Sequence, residues 1–214
     1  MIDQHTDLFK YVDNFSKTAH IPSISIIESK IDYIPEITIA IPTYKRTDLL
    51  KEAIDSAINQ IAYTNYDIIV VDNNPERDCD TEKLMRSYNN PIISYYKNSE
   101  NLGMVGNWNR LFTLAKGIYV VMLHDDDLLY PNYLSTIIKS CSKLPNVDIV
   151  FPKHNRSNYR IIKKSGNNNQ IIKGCKVKLE HFINGNFIGP PVGMCVKKCF
   201  FFQQMVLEMN FTPQ

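Results

Sequence analysis

Five apolar runs alternate with segments of helical periodicity, and this alternation constrains the fold more than any other feature of the chain. The runs, rich in β-branched residues, are 37–41, 67–71, 92–96, 118–123 and 148–151. Helices are predicted from Thr47, over 81–88, over 104–116 with Gly117 as the stop, and from Pro131 to about Leu144. Apolar strands separated by helices are typically buried on both faces. The sequence therefore predicts an α/β fold with a mostly parallel central sheet and helices on both faces, as in Rossmann-like nucleotide-binding cores.

The chain divides into three parts by this pattern. Residues 36–152 carry the alternating strands and helices and are predicted to form the core. Residues 1–35 contain a short amphipathic helix around Leu8 to Phe15 and then lose regularity, so we expect an appendage that packs on the core. Residues 153–214 have a looser pattern and are interpreted as a partial, truncated region on the acceptor side of the core.

Composition excludes several classes of protein. The chain has 214 residues, of which 44% are hydrophobic, and it has no apolar run of the roughly 18 residues that a membrane span needs. Its first residues lack the pattern of a secretory signal. The five cysteines form no metal-binding pair and are expected to be reduced thiols. These features predict a cytoplasmic protein.

The charges are unevenly distributed. Ten of the 24 lysine and arginine residues follow residue 152, but only two of the 22 acidic residues do. Such a basic block favours an anionic partner, namely phosphates, a lipid-linked acceptor or the inner face of the cell membrane as a peripheral contact. A solvated basic surface is the alternative interpretation. Nucleic acid is not expected, because the block 153–178 lacks regular aromatic interleaving and any known nucleic-acid motif.

Polar clusters follow three of the predicted strands. Thr43–Arg46 follows the first strand, Asp72–Asn74 the second and Asp125–Asp127 the fourth. In open α/β sheets, ligands bind outside the carboxyl ends of the strands. The coincidence of three clusters at these ends predicts a ligand site there.

The acidic triplet Asp125–Asp127 is the sharpest of these signals. Three consecutive carboxylates after a buried strand repel one another unless a cation lies among them. Mg²⁺ or Mn²⁺ binds through one or two carboxylates together with substrate phosphate oxygens, and it can neutralise a diphosphate leaving group. The alternative is a solvated turn that caps the helix near Pro131. His124 is expected to pack or to support the ligands rather than to bind a metal itself.

The other clusters have a structural and a functional interpretation each. Asp72 can accept hydrogen bonds from a base or ribose, or it can close an Asx-turn. Thr43, Tyr44 and Arg46 can offer a hydroxyl, a stacking ring and a phosphate-binding fork, or they can form an ordinary strand-to-helix loop. The segment 101–110 opens a helix with two glycines, which suits a phosphate or sugar, although its tryptophan is interpreted as core.

Taken together, these segments resemble the family 2 glycosyltransferases of the GT-A fold. The resemblance covers roughly residues 36–152 and rests on order and spacing in four segments: Ile39–Arg46, Val70–Asn73, Asn101–Gly103 and Leu123–Asp127 followed by Pro131. It implies transfer, with inversion, of a sugar from an NDP-sugar, most often UDP-linked, to an acceptor hydroxyl. Such enzymes commonly build capsules and other bacterial surface polysaccharides.

The resemblance also implies roles for individual residues. Pro42, Thr43, Tyr44 and Arg46 would line the nucleotide pocket, and Asp72 would face the base. Asn101 and Gly103 would shape the ribose–phosphate side, with Asn107 where many members carry the alanine of an Ala-Arg-Asn motif. The acidic triplet matches the DxD region: alignment on Pro131 makes Asp126 the direct metal ligand, whereas Asp125 and Asp127 as the pair is the other option. On this resemblance we expect Asp125 to bind the donor, and Asp126 and Asp127 to hold the metal.

One expected element is missing. Inverting transfer needs a general base, which the family supplies as an aspartate beyond the strand that Met194–Val196 resembles. After residue 152 the chain has no aspartate and only two glutamates, Glu180 and Glu208. Either the base lies on sequence outside this chain, or Glu208 substitutes for it. The alternatives to a complete transferase are a non-catalytic nucleotide-sugar-binding or scaffold module, or a sugar-1-phosphate nucleotidyltransferase.

Overall fold

A computed structural model describes residues 15–144, 147–152 and 193–199 of the chain. Within these residues, helices and strands alternate over most of the length. The helices are α1 (Ser16–Ala19), α2 (Thr47–Ile58), α3 (Asp80–Ser87), α4 (Gly103–Leu114) and α5 (Tyr133–Lys143). The strands are β1 (Ser23–Ile27), β2 (Ile37–Thr43), β3 (Tyr66–Asp72), β4 (Ile93–Asn98), β5 (Tyr119–Met122), β6 (Ile149–Val150) and β7 (Cys195–Lys197).

The strands form one sheet in the order β1-β4-β3-β2-β5-β7-β6. Its centre, β4-β3-β2-β5, is parallel throughout. β1 lies antiparallel to β4 at one edge, and β7 lies antiparallel between β5 and β6 at the other. The central strands β2 and β3 are buried along their whole length, which explains their continuous apolar sequences.

Two separate cores cover the two faces of the sheet. On one face, apolar residues of α2, α3 and α5 pack on the strands, with Leu50, Ile54 and Met85 fully buried. On the other face, α4 contributes Leu111 and Phe112. Helices on both faces of a mostly parallel sheet confirm the predicted α/β fold. The parallel arrangement also brings the carboxyl ends of β2, β3 and β5 to one edge, where the polar clusters follow.

Three details differ from the sequence analysis. β1 was not predicted, because its Ser-Ile-Ser-Ile-Ile sequence pairs only with distant β4; residues within the predicted appendage 1–35 thus extend the sheet. β2 continues through Pro42 to Thr43. The pairing of β2 with β5 ends at Ala40, so the nitrogen of Pro42, which faces the β5 side, is not needed as a hydrogen-bond donor. The helix predicted to stop at Gly117 ends at Leu114.

Gly117 has a packing role instead. A side-chain carbon at this position would lie 2.5 Å from the backbone nitrogen of Thr38 and 2.8 Å from the carbonyl oxygen of Tyr119. Its N–H donates to Thr38 Oγ1 at 2.8 Å. Glycine is therefore required by the close approach of the chain to β2.

Candidate functional site

The acidic loop after β5 meets the loop after β2 at the carboxyl edge of the sheet. Asp125 is the inner member of the loop: only 7% of the residue is exposed. Its Oδ2 accepts a hydrogen bond from Thr43 Oγ1 at 2.9 Å, and its Oδ1 lies 3.4 Å from Arg46 Nη1. Burial raises the pKa of Asp125 above its ordinary value, against the opposing effects of Thr43 and of the Arg46 guanidinium. Asp125 thus ties the two loops together.

Asp126 and Asp127 lie on the outer side of the same loop. Their side chains are 45% and 39% exposed. Arg46 Nη1 lies 3.0 Å from Asp126 Oδ2, so one guanidinium bridges Asp125 and Asp126 and offsets part of the repulsion within the triplet. The structure therefore brings Thr43, Arg46 and the acidic triplet together, as the sequence predicts.

His124 extends this cluster. A ring nitrogen of His124 and carboxylate oxygens of Asp126 and Asp127 all lie within 4.8 Å of one another. Two carboxylates and an imidazole are donors that divalent transition metals accept, and the exposed carboxylates also suit Mg²⁺. The chemistry of this donor set fits a divalent cation, with Asp126 and Asp127 as the oxygen ligands.

The loop after β2 has a strained backbone. Lys45 adopts a left-handed conformation with φ 54°, which costs a residue with a side chain about 1 kcal/mol. The turn leaves Tyr44 43% exposed, with Lys45 Nζ 5.5 Å from the centre of its ring. It also turns Arg46 towards the acidic loop. Pro42, by contrast, is buried within β2 and shapes the base of this loop rather than its surface.

Asp72 lies in a buried cluster. It is fully buried, and its Oδ2 accepts hydrogen bonds from Tyr95 Oη and Lys97 Nζ, both at 2.8 Å. Its Oδ1 accepts from the backbone N–H of Asn74 at 2.9 Å, which is the Asx-turn considered above. The carboxylate that was expected to face a base is thus held by three internal donors, and a contact between Asp72 and a base stays a prediction. Lys97 Nζ also lies 3.3 Å from Cys79 Sγ.

A network of asparagine side chains fixes the start of α4. Asn73 Nδ2 donates to Asn101 Oδ1 at 2.6 Å, and Asn101 Oδ1 also accepts from the N–H of Gly103, whose φ is +70°. Asn107, expected on the donor side, is 4% exposed; its amide donates to the Val71 carbonyl and accepts from Asn98. Asn101 and Gly103 therefore remain at the exposed edge, whereas Asn107 belongs to the framework behind it.

The residues that the sequence analysis missed lie on β4. Tyr95, Lys97 and Asn98 supply the donors that hold Asp72 and the asparagine network. The signal for them was present, because Lys97 and Asn98 are polar residues that continue an apolar strand. Arg110, on α4, donates to the carbonyl oxygens of Thr18 and Ile21 and so ties α4 to the end of α1.

Glu82 anchors the loop that borders the site after β3. Its side chain is 1% exposed and accepts hydrogen bonds from Arg77, from Arg86 and from the backbone of Asp78. The hydrogen bond from Arg77, together with those from Arg86 and the backbone, lowers the pKa of Glu82 to about 2 in spite of its burial. This ion pair network holds the loop without using any of the predicted site residues.

Two predictions fall outside what the structure covers. Glu208, the weak candidate for a general base, lies outside the described residues, as does most of the predicted acceptor-side region 153–214.

Within the described residues, no helix has the length and apolar character needed to cross a membrane.

Comparison with known proteins agrees with this geometry. The sequence profile described as "Glycosyl transferase family 2" matches residues 38–211. An "Uncharacterized glycosyltransferase" of Rickettsia felis is 31% identical over 66% of this chain and 22% of its own length. The "GalNAc(5)-diNAcBac-PP-undecaprenol beta-1,3-glucosyltransferase" of Campylobacter jejuni is 32% identical over 51% of this chain and 36% of its own.

Among solved structures, S. aureus TarS residues 1–349 in complex with UDP-GlcNAc share the fold. The TM-score is 0.62 at 18% identity, over 80% of this chain and 48% of that one. This likeness supports the GT-A architecture. The chain itself spans only 22% and 36% of the length of the two curated relatives above.

Proposed function

The chain belongs to glycosyl transferase family 2, and on that premise we propose that it transfers a sugar from an NDP-sugar, first of all a UDP-sugar, to an acceptor hydroxyl with inversion at the anomeric carbon. The observation that carries the proposal is the meeting of Thr43 and Arg46 with the acidic triplet at the carboxyl edge of the sheet. A uridine nucleotide is the first donor to test, because the TarS structure with this fold holds UDP-GlcNAc.

Each exposed residue of the site would contact a different part of the donor. Tyr44 offers a ring to the base, and Arg46 offers a guanidinium fork to the diphosphate. The start of α4 at Asn101 and Gly103 would lie beside the ribose and phosphates, where the positive end of the helix dipole favours negative charge. Asp126 and Asp127 would hold a divalent cation, which when bound would neutralise the charge of the diphosphate leaving group. Asp125 holds Thr43 and Arg46 in position beside them.

Arg46 can contact either the carboxylates of the acidic loop or the diphosphate of a bound donor. In the described structure it bridges Asp125 and Asp126, although 53% of its side chain is exposed. A cation on Asp126 would compete with that contact and release the guanidinium for the diphosphate. The proposal therefore includes mutual support between metal and nucleotide binding at this site.

The acceptor proposed is a saccharide or a lipid-linked saccharide used for cell-surface polysaccharide. The undecaprenol-linked substrate in the name of the Campylobacter relative supports this class. The basic block 153–178 supports a peripheral contact with an anionic membrane face, where such acceptors lie. The general base that inverting transfer needs remains unassigned among the described residues, and Glu208 stays a weak candidate.

Calorimetry tests the donor site directly. UDP is titrated into wild type, Asp126→Ala and the control Asp32→Ala, with and without Mn²⁺; Asp32 is an exposed carboxylate before the amino end of β2. We expect metal-dependent UDP binding in wild type and in the control, and its loss in Asp126→Ala. Absence of binding to UDP and to the other nucleoside diphosphates in wild type would contradict the proposal and favour a scaffold module.

A second measurement addresses transfer. Release of free UDP from UDP-sugars, with lipid-linked saccharides as acceptors, is the product expected of a glycosyltransferase. Release of pyrophosphate would instead indicate nucleotidyl transfer. Binding without any release would indicate a nucleotide-sugar-binding module.

A further inference from the structure

The ring of His124 is held in a defined orientation beside the acidic loop. It stacks on Trp108 with the ring centroids 5.2 Å apart and an interplanar angle of 29°. Trp108 in turn packs against the core cluster on the α4 face of the sheet. His124 Nδ1 lies 3.8 Å from Asp127 Oδ2. The imidazole therefore faces the carboxylates from a rigid support.

The packing of His124 leaves one of its two ring nitrogens without a partner among the described residues. Nε2 is buried, and among the described residues no group lies within hydrogen-bonding distance of it. An unpaired buried donor or acceptor costs about 1–3 kcal/mol, and a native structure that tolerates one requires an explanation. Stability alone does not explain an imidazole at this position, since an apolar side chain could stack on Trp108 without that loss.

The imidazole has a second ring nitrogen, Nδ1, which faces the carboxylate of Asp127. The ring nitrogen and the carboxylates of Asp126 and Asp127 converge within 4.8 Å. Ligands in adjacent positions around a small divalent ion lie about 3 Å apart, given bonds of about 2.1 Å. The two carboxylates are 45% and 39% exposed, so rotation of their side chains can close the remaining distance without disturbing the core.

We infer that His124 is a direct ligand of the divalent cation, together with Asp126 and Asp127, and that this nitrogen makes the site prefer Mn²⁺ over Mg²⁺. The inference rests on the proposed function. Mg²⁺ binds oxygen ligands and dehydrates reluctantly, whereas Mn²⁺, although it too favours oxygen, belongs to the transition-metal series whose members also take nitrogen ligands. A site built only from the two carboxylates would lack that selectivity. His124 is thus the residue that determines the choice of metal.

The test compares the binding of Mn²⁺ and Mg²⁺ in wild type, His124→Gln and the control His20→Gln. Glutamine keeps a polar side chain of similar reach but offers oxygen, and His20 is an exposed histidine that follows α1. Binding of Mn²⁺ is followed by the electron paramagnetic resonance of the free ion, and that of Mg²⁺ by competition. Pulsed resonance on bound Mn²⁺ detects a coordinated imidazole nitrogen.

We expect the nitrogen signal in wild type and in His20→Gln and its loss in His124→Gln. We also expect His124→Gln to weaken Mn²⁺ binding about tenfold or more and Mg²⁺ binding less than about twofold, by analogy with the 10–100-fold effects of weaker outer contacts. Thermal unfolding of the variant verifies that it folds.

Three results would overturn the inference: no nitrogen signal in wild type, a signal that persists in His124→Gln, or equal weakening of both metals. If wild type nevertheless binds UDP in a metal-dependent way, the proposed function stands and only the role of His124 fails. If neither Mn²⁺ nor UDP binds, the donor site itself fails, and the calorimetry described above separates the two cases.

Discussion

Replacing Lys97 by methionine removes the ammonium group that lies 2.8 Å from Asp72 Oδ2, inside the framework of the candidate site. The side chains of Lys97 and Asp72 are 2% and 0% exposed, so water cannot take the place of the lost cation. Breaking a buried ion pair from one side costs about 3–5 kcal/mol. Because Tyr95 and the backbone of Asn74 still donate to the carboxylate, we expect a loss near the lower end, about 3 kcal/mol.

The double variant Lys97→Met with Asp72→Asn isolates the interaction between the charges. Each single variant leaves one buried charge unpaired, whereas the double variant leaves none. We therefore expect the double variant to lose at least about 2 kcal/mol less than the sum of the two single losses. Urea unfolding near neutral pH, followed by far-UV circular dichroism and by the fluorescence of Trp108, measures all four free energies of unfolding.

Lys51→Met is the matched control. Lys51 pairs with Asp55 on the surface of α2, where the two side chains are 59% and 40% exposed, and such pairs contribute at most about 1 kcal/mol. Losses that add within about 0.5 kcal/mol in the double variant would refute the reasoning. So would a Lys97→Met variant no less stable than Lys51→Met.

Three further predictions concern other parts of the structure. Because the pKa of Glu82 is about 2 in the folded protein and near 4.5 in an unfolded chain, its stabilisation is present above about pH 4.5 and is lost as the pH falls towards 2. Glu82→Gln should lower the free energy of unfolding by about 1–2 kcal/mol near pH 7, after allowance for the half-exposed arginine partners. In urea unfolding, this stability difference from wild type should shrink at pH 3. A stability difference that does not depend on pH would contradict the prediction. Arg46→Met should tighten the binding of Mn²⁺ alone about fivefold, because it removes a contact of about 1 kcal/mol between Arg46 and Asp126. The same variant should weaken the binding of UDP when Mn²⁺ is present. If calorimetry shows that Mn²⁺ alone binds no tighter to the variant, Arg46 and the metal do not compete for Asp126. Gly117→Ala should destabilise by about 1–3 kcal/mol in thermal unfolding, because the new methyl group meets backbone on both sides, and an unchanged melting temperature would show that the backbone can yield there.

The core of the fold was predictable from local sequence. Strands β2, β3 and β5 lie within two residues of their predicted bounds, because buried parallel strands need continuous apolar runs. β1 was not predictable in this way. Its serines alternate with isoleucines, and its place at the sheet edge depends on pairing with β4, some 70 residues later in the chain.

The candidate site was predictable only in outline. Thr43, Arg46 and the acidic triplet follow strands that end at one edge, so their meeting follows from sheet topology alone. The environment of Asp72 and Asn107 does not follow from topology, because their partners Lys97 and Asn98 reach them from a separate element, β4. Such pairings depend on register, which a single sequence does not show.

The pairing of Val150 in β6 with Cys195 in β7 has a consequence for how proteins of this kind diversify. Because Val150 and Cys195 are paired neighbours in the sheet, the two ends of the sequence between them are anchored a few ångströms apart. Loop-closure entropy rises by only about 0.6 kcal/mol for each doubling of length. The length of the sequence between these two anchors can therefore change at a small entropic cost while the pairing of β6 with β7 is kept. Recombination between β6 and β7 offers evolution, and protein engineering, a way to replace the sequence between them while the parallel centre of the sheet stays intact.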